Sequence, residues 1–394
     1  RFYGRFGDKV SVIHSKMSAG ERYDQMERAK RGEISVMIGP RSAVFTPFSN
    51  LGMIIIDEEH EGSYKSETSP KYHAREVAKK RCEMSSASLV LGSATPSIES
   101  YFQASCGSYQ LLKLPNRIND SHLAAVQVID LRKELKEGNR SVLSRELKAQ
   151  MQKALDKNEQ IMLFLNRRGH TGFISCRSCG HVLKCPHCDV SLTFHKDGRM
   201  KCHYCGYEQS VVKNCPECGS PYIGGFRAGT QQIEEVVKKE FPQARILRMD
   251  MDTTRKKGSY EAILESFAKK EADILIGTQM IVKGHDFPAV TVVGVLLADL
   301  SLHGSDYMAA ERTFQLLTQA VGRAGRGSIP GNAVIQTYQP ENYAVNAAAA
   351  QDYETFYEME IAYRDLMSYP PMSGMLAMLL QSADEELLET EAEK

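Results

Sequence analysis

Short runs of apolar, often β-branched residues recur along this 394-residue chain, separated by longer stretches whose apolar positions return every three or four residues. A short apolar run bounded by turn formers predicts a strand buried on both faces, and the three-to-four spacing predicts an amphipathic helix. Strands are therefore expected at 34–38, 52–56, 88–91, 160–165, 273–276 and 290–297. Helices are expected at 18–31, 73–84, 145–157, 230–240, 259–270 and 307–322, with a further helical stretch over 341–367. Alternation of this kind predicts an α/β architecture with a largely parallel sheet. The rhythm breaks between Gly172 and Gly225 and resumes at Gly229-Thr-Gln-Gln-Ile, so the intervening segment is expected as an insertion inside an α/β domain. At Tyr369-Pro-Pro-Met-Ser something new begins.

The insertion holds eight of the ten cysteines, in four C-x-x-C pairs: Cys176/Cys179, Cys185/Cys188, Cys202/Cys205 and Cys215/Cys218. A two-residue gap lets both sulfurs of a pair face one metal, and two pairs complete a tetrahedral thiolate site for zinc. Four pairs predict two zinc ions. Gly or Pro in each pair supplies the tight turn that a metal knuckle needs. Disulfides are the competing reading, but the rest of the chain reads as intracellular, where thiols stay reduced. Spacing alone leaves three ways to group four pairs into two sites. His181, His187, His195 and His203 lie among them, but a full set of thiolates needs no histidine ligand.

Length fits two to four domains. Lys plus Arg equals Asp plus Glu at 49 each, so any nucleic-acid partner must be met by local patches. No run approaches the length of a membrane span, which excludes an integral helical membrane protein. The first residues lack an initiator Met and the last run acidic, so both ends look cut and the chain is expected to be an internal piece.

Four segments carry chemistry. The apolar run 52–56 ends in Asp57-Glu58-Glu59-His60, acids placed where a parallel sheet puts ligand groups. An Asp there can hold Mg²⁺ on a nucleotide, and the next Glu can orient a hydrolytic water. Gly92-Ser93-Ala94-Thr95 follows a second strand and could bond the neighbouring acids, or simply cap a helix near Ser97. Gly277-Thr278-Gln279 opens a turn that, with Lys283, offers N–H groups and a cation to the phosphate of a nucleotide or a nucleic acid. Gln319-Ala-Val-Gly322-Arg323-Ala-Gly325-Arg326-Gly327 presents two guanidinium forks of the kind that meet a transferring phosphoryl group. A loop with Tyr64, Lys65, Lys71, Tyr72, His73 and Arg75 combines aromatics and cations, as single-strand binding requires.

In this order the four segments resemble motifs II, III, V and VI of superfamily 2 helicases. The resemblance implies two RecA-like lobes, with ATP and Mg²⁺ bound between them and DNA running across both. The cysteine insertion after Phe164-Leu-Asn-Arg-Arg-Gly169, with Arg1-Phe-Tyr-Gly-Arg-Phe-Gly7 and Tyr72-His-Ala-Arg75, is similar to the replication-restart helicases of the PriA family. That likeness implies the remainder of lobe 1 at 1–115, lobe 2 at 116–172 and 225–368, a zinc insertion at 173–224, and a further domain beginning at 369–394. It implies that Asp57 binds Mg²⁺ and Glu58 places water. It implies also that His60 couples nucleotide state to the lobe interface, that Ser93 and Thr95 link ATP hydrolysis to DNA movement, and that Gln319, Arg323 and Arg326 reach phosphate. It supports a nested zinc grouping, with Cys176, Cys179, Cys215 and Cys218 outside and Cys185, Cys188, Cys202 and Cys205 inside. The expected partners are branched or single-stranded DNA, other primosome proteins and single-strand DNA-binding protein. The expected protein is a cytoplasmic monomer with 3′→5′ polarity. No G-x-x-x-x-G-K-[ST] loop occurs, so these residues alone are expected to be inactive. Two other readings stand beside this one: a zinc-dependent DNA-binding scaffold, and another superfamily 2 translocase with its own zinc insertion.

Overall fold

The computed structural model describes the chain apart from residues 1, 115–122, 166–173, 196–197, 226–228, 257, 283–286, 304–305, 328, 377–379, 381 and 393–394. It divides into two compact units, Arg1–Tyr109 and Gln110–Lys394.

In the first unit, α1 (Phe2–Phe6) leads to β1 (Val10–Val12), α2 (Ala19–Lys30) and β2 (Val36–Ile38), with β1 and β2 parallel. Helix α2 starts where the sequence predicts. Ser18 Oγ accepts from the Glu21 N–H at 3.2 Å and the Glu21 carboxylate accepts from the Ser18 N–H at 2.7 Å, which satisfies two open donors. A second parallel pair, β3 (Met53–Asp57) and β4 (Ser88–Gly92), is joined through α3 (Ala74–Ser85) and followed by α4 (Ile98–Ser105). Val44, Ile56 and Ala78 form a small core there, with Tyr64 and Tyr72 packed on it.

The second unit is built on a six-stranded sheet in the order β12-β13-β6-β14-β15-β5, with every neighbouring pair parallel. Its strands are β5 (Ala125–Asp130), β6 (Gln160–Leu165), β12 (Ile246–Met249), β13 (Ile274–Gly277), β14 (Val290–Leu296) and β15 (Asn332–Thr337). The helices are α5 (Leu131–Lys136), α6 (Arg145–Asp156), α7 (Thr230–Glu240), α8 (Ser259–Ala268), α9 (Gln279–Val282), α10 (Asp299–Leu302) and α11 (Ala309–Val321). Beyond the sheet lie α12 (Tyr343–Ala350), α13 (Tyr353–Leu366) and α14 (Glu385–Ala392). The α/β class with a parallel sheet is as expected. Strands β6, β13 and β14 are buried along their whole length, as their unbroken apolar runs require. The main core gathers Leu143, Leu147, Met151, Ile161, Leu163, Ile276 and Val292.

Two expectations are corrected. The helical stretch 341–367 is two helices, because Gln351 takes a left-handed φ of +55° and Asp352 caps the second. Strands β1, β5, β12 and β15 were not anticipated from the pattern.

The cysteine-rich insertion falls between β6 and β12 and has its own small sheets. Strands β7 (Ile174–Cys176) and β11 (Ile223–Gly225) pair antiparallel and close its two ends. Strands β8 (Thr193–Phe194), β9 (Arg199–Lys201) and β10 (Glu208–Ser210) form an antiparallel sheet between them. Among the described residues no helix is long and apolar enough to cross a membrane.

Candidate functional site

Strand β3 delivers its acids at its carboxyl end. Asp57 and Glu58 are exposed there. Glu58 has φ +48°, a left-handed conformation that costs energy for any residue with a side chain. That turn sends Glu59 back inward, where its N–H donates to the Gly92 carbonyl at 3.1 Å and its side chain is buried. The next residue joins the two predicted segments: His60 Nδ1 lies 2.6 Å from Ser93 Oγ and 3.7 Å from Glu58 Oε2. Ser93 Oγ in turn accepts from the Thr95 N–H at 2.9 Å. The Thr95 hydroxyl is buried with no hydrogen-bond partner among the described residues. An exposed pair of carboxylates offers the hard oxygen donors that Mg²⁺ prefers.

Sequence reasoning gave Glu59 no role, and the structure gives it a central one. Its carboxylate accepts from the Ser97 N–H at 2.6 Å, from Ser97 Oγ at 3.1 Å and from Ser100 Oγ at 2.9 Å. Arg75 Nη1 completes the set at 3.1 Å from Glu59, and also meets Ser97 Oγ and Ser100 Oγ at 2.8 Å each. Burial alone would lower the Arg75 pKa, but the Glu59, Glu99 and Glu76 carboxylates together outweigh it and raise the value. Arg75 was expected to contact DNA; here its guanidinium is engaged by Glu59, Ser97 and Ser100. The aromatics of the same loop are also engaged. Tyr64 donates to the Asp57 carbonyl at 2.7 Å, and Tyr72 packs edge-on to Phe45 at 5.0 Å. His73 caps α3 by accepting from the Arg75 N–H at 3.2 Å, and burial lowers its pKa. Lys65 and Lys71 remain exposed.

In the second unit Gln319 sits in the last turn of α11, which runs into the turn with Arg323 and Arg326. The glycines there are steric necessities. Gly325 has φ +68°, and a Cβ on it would lie 2.3 Å from the Gly331 nitrogen. A Cβ on Gly327 would meet the Pro288 carbonyl oxygen at 2.4 Å. Arg326 is exposed, and its Nε donates to the Gly322 carbonyl at 2.8 Å, which fixes the direction of its fork.

The Gly277-Thr278 turn and the arginine turn are anchored at different levels of the sheet. The Gly325 N–H donates to the carbonyl of Val290 at 3.0 Å, at the first residue of β14. Gly277 is the last residue of β13 and shares its register, through Phe164, with Val295. Five residues of strand separate the two levels, roughly 16 Å. Beside Thr278, at the carboxyl ends of β12 and β13, lie residues that sequence reasoning missed. Asp250 accepts from Thr230 Oγ1 at 2.6 Å and from the Thr253 N–H at 2.9 Å, and Thr254 stands one turn on. Lys283 lies outside the described residues.

The eight cysteines form two groups, Cys176, Cys179, Cys215 and Cys218, and Cys185, Cys188, Cys202 and Cys205, with the sulfurs of each within 4.8 Å of one another. This is the nested grouping. All four pairs share one backbone device: the residue after the second cysteine is left-handed and donates its N–H to the carbonyl of the first. Gly180, Gly206 and Gly219 fill that place with φ of +81°, +74° and +70°, and Asp189 fills it with +52°. Their N–H donors meet Cys176, Cys202, Cys215 and Cys185 respectively, over 2.8 to 3.1 Å. Sulfur separations of 3.7, 3.6 and 3.5 Å exceed any disulfide and approach the roughly 3.8 Å edge of a tetrahedron with zinc–sulfur bonds of about 2.3 Å. Both donor sets therefore fit zinc. The insertion is docked on the sheet. Gln339 Nε2 donates to the Gly180 carbonyl at 2.7 Å, and Arg132 Nη1 to that of Cys179 at 3.3 Å.

The second unit thus joins a parallel sheet and its arginine turn to an insertion with two four-cysteine groups, and its sequence places it among helicase domains. Residues 225–328 match the helicase conserved C-terminal domain, and residues 185–209 match the PriA DNA helicase Cys-rich region (CRR) domain. The chain is 54% identical over 372 residues to replication restart protein PriA of Bacillus subtilis, covering 94% of this chain and 46% of that protein. It is 46% identical over 399 residues to PriA of Synechocystis, covering 99% and 48%. A structure of RecG bound to a three-way DNA junction resembles it with a TM-score of 0.45 at 16% identity, over 94% of this chain and 37% of that one. The chain belongs to the PriA family of replication restart proteins. It spans about half the length of the curated relatives it matches.

Proposed function

We propose that the chain is the central part of an ATP-dependent DNA helicase that unwinds 3′→5′ at stalled replication forks and so permits primosome assembly. The observation that carries this reading is the 2.6 Å contact of His60 with Ser93, which ties an exposed acidic strand tip to the neighbouring hydroxylated turn. Family membership supports it. Magnesium with ATP would supply the electrophile and its charge compensation. Asp57 holds the cation, Glu58 orients water, and His60 with Ser93 and Thr95 reports the state of that tip to the rest of the unit. Gln319, Arg323 and Arg326 offer donors to phosphate. Because Gly277 and Thr278 lie at the other edge of their sheet, we assign them to a nucleic-acid phosphate, beside Thr253 and Thr254. Lys65 and Lys71 are exposed cations for DNA, and Lys283 keeps its place as a cation offered to phosphate.

The two thiolate sites take zinc, with Cys176, Cys179, Cys215 and Cys218 on one ion and Cys185, Cys188, Cys202 and Cys205 on the other. The partners are single-stranded and branched DNA, other primosome proteins and single-strand DNA-binding protein. The protein acts as a monomer in the cytoplasm. The first unit is the remainder of one RecA-like lobe and the sheet of the second unit is the other. The chain holds no G-x-x-x-x-G-K-[ST] run, so turnover is expected of the full-length polypeptide. Glu58→Gln in that polypeptide stops DNA-stimulated ATP hydrolysis and leaves DNA binding intact. A zinc-dependent scaffold would be indifferent to the change, and unaltered fork processing by the variant would refute the motor.

A further inference from the structure

A buried guanidinium braces the aromatic stack on the inner pair of knuckles against the helix that leads to the arginine turn. Arg364 on α13 has no exposed side-chain surface. Its Nε donates to Glu360 at 2.8 Å, its Nη2 to Glu311 at 2.6 Å and its Nη1 to the Pro370 carbonyl at 3.1 Å. The remaining carboxylate oxygens are also satisfied, Glu360 by Tyr343 Oη at 2.6 Å and Glu311 by Gln315 Nε2 at 3.2 Å.

On one side the Arg364 fork lies over the Tyr307 ring at 5.1 Å, and Tyr307 stacks on Tyr369 at 5.1 Å with 21° between planes. Those two rings meet the inner knuckles directly. The Tyr369 hydroxyl donates to the Cys188 carbonyl at 2.8 Å, and the Tyr307 N–H donates to Tyr204 Oη at 3.1 Å. On the other side, Glu311 belongs to the first turn of α11. Eight residues of helix, about 12 Å, carry that anchor to Gln319. Well-packed apolar residues would stabilise such a site equally well, so a fully bonded ionic centre is better understood as fixing geometry.

We propose that Arg364 is a positioning residue for the arginine turn: it locks α11 to α13 and to the aromatic stack on the inner knuckles, so that these knuckles and residues 319–327 hold place together. Its catalytic consequence rests on the reading of Arg323 and Arg326 as phosphate ligands; the coupling itself does not.

The test is hydrogen exchange on the zinc-loaded full-length polypeptide carrying Arg364→Lys, which keeps the charge and loses the planar fork. A second variant, Tyr369→Phe, removes only the hydroxyl that meets Cys188. Both are expected to speed exchange of the Gly322, Arg323 and Gly325 amides by about tenfold, with β6 and β13 unchanged and two zinc ions retained. In the same variants kcat for ATP falls while KM holds. Uniform loosening of the whole unit, or no change at residues 322–325, overturns the proposal. Absence of ATP turnover in the unmodified polypeptide would instead sink the helicase reading, and the exchange result would still decide the coupling.

Discussion

Replacing Arg75 by alanine would leave the Glu59 carboxylate buried with no cation beside it. The side chains of this pair are 13% and 1% exposed, so solvent screens the interaction little. Removing one partner of a buried pair costs about 3–5 kcal/mol, because the other charge stays in a poorly polarisable environment. Three neutral donors to Glu59 would survive, at 2.6, 3.1 and 2.9 Å, which places the expected loss at the lower end, about 3 kcal/mol. With ordinary urea m-values this lowers the midpoint of the first unit by roughly 1–3 M. Exchange protection in α3 and β4 identifies that unit's transition. The double variant Arg75→Met/Glu59→Gln removes both charges and should recover most of the loss. The competing role predicts a different signature. An arginine on a DNA phosphate would leave stability near wild type, and its loss would reduce the slope of log affinity against log salt by about one. An unchanged urea midpoint together with that shallower slope would refute the reasoning.

Three further outcomes follow from the same geometry. Gly180→Ala places a Cβ 2.4 Å from the Tyr338 carbonyl oxygen at φ +81°, whereas Gly219→Ala at φ +70° meets nothing within 4 Å. The first should lower stability by several kcal/mol with both zinc ions retained, and the second by only about 1–2 kcal/mol, as thermal melts with metal analysis would show. Chelation of zinc should expose the eight grouped thiols in addition to the exposed Cys106 and abolish protection in β8–β10, read by a thiol reagent and by exchange. Burial raises the Asp299 pKa to about 6, above its unfolded value. Its folded form binds the proton more tightly, so its contribution is full below pH 4 and is lost as pH rises through about 6. The stability of wild type relative to Asp299→Asn should therefore fall by on the order of 2 kcal/mol between pH 4 and 7, measured by denaturation at each pH.

Where a strand is buried on both faces its apolar run is unbroken, and β6, β13 and β14 are legible for that reason. Strand β5 alternates instead, as Ala-Val-Gln-Val-Ile-Asp at the sheet's edge, and leaves no such run. Strand β15 is interior yet carries Gln336 and Thr337, both fully buried. Gln336 earns its place through partners 192 and 194 residues away, accepting from the Ser144 N–H and donating to the Val142 carbonyl. No local pattern announces such a partner. The same distinction holds at the site. Each C-x-x-C turn is local and was visible, whereas the grouping of pairs depends on β7 meeting β11 across the whole insertion. Arg75 resembled a DNA contact because it is a cation in an aromatic loop, and only the fold brings Glu59, Ser97 and Ser100 around it.

Within the second unit the sheet has two working edges, and the register of β13 against β14 separates them. The arginine turn is held at the amino end of β14 by the Gly325–Val290 hydrogen bond. Ligands of parallel sheets usually gather at the opposite, carboxyl edge. Here the outer knuckle occupies the end of β15 through Gly180 and Gln339, and reaches Arg132 just beyond β5. The carboxyl ends of β12 and β13 then remain, where Thr230, Asp250 and Thr253 are bonded together and Thr254 and Thr278 follow. The backbone levels that anchor Gly277 and Gly325 lie roughly 16 Å apart along the strands. If the arginines serve a nucleotide, the threonine edge is left for a polymer whose phosphates repeat along a line, and the docked insertion sets one boundary of its path.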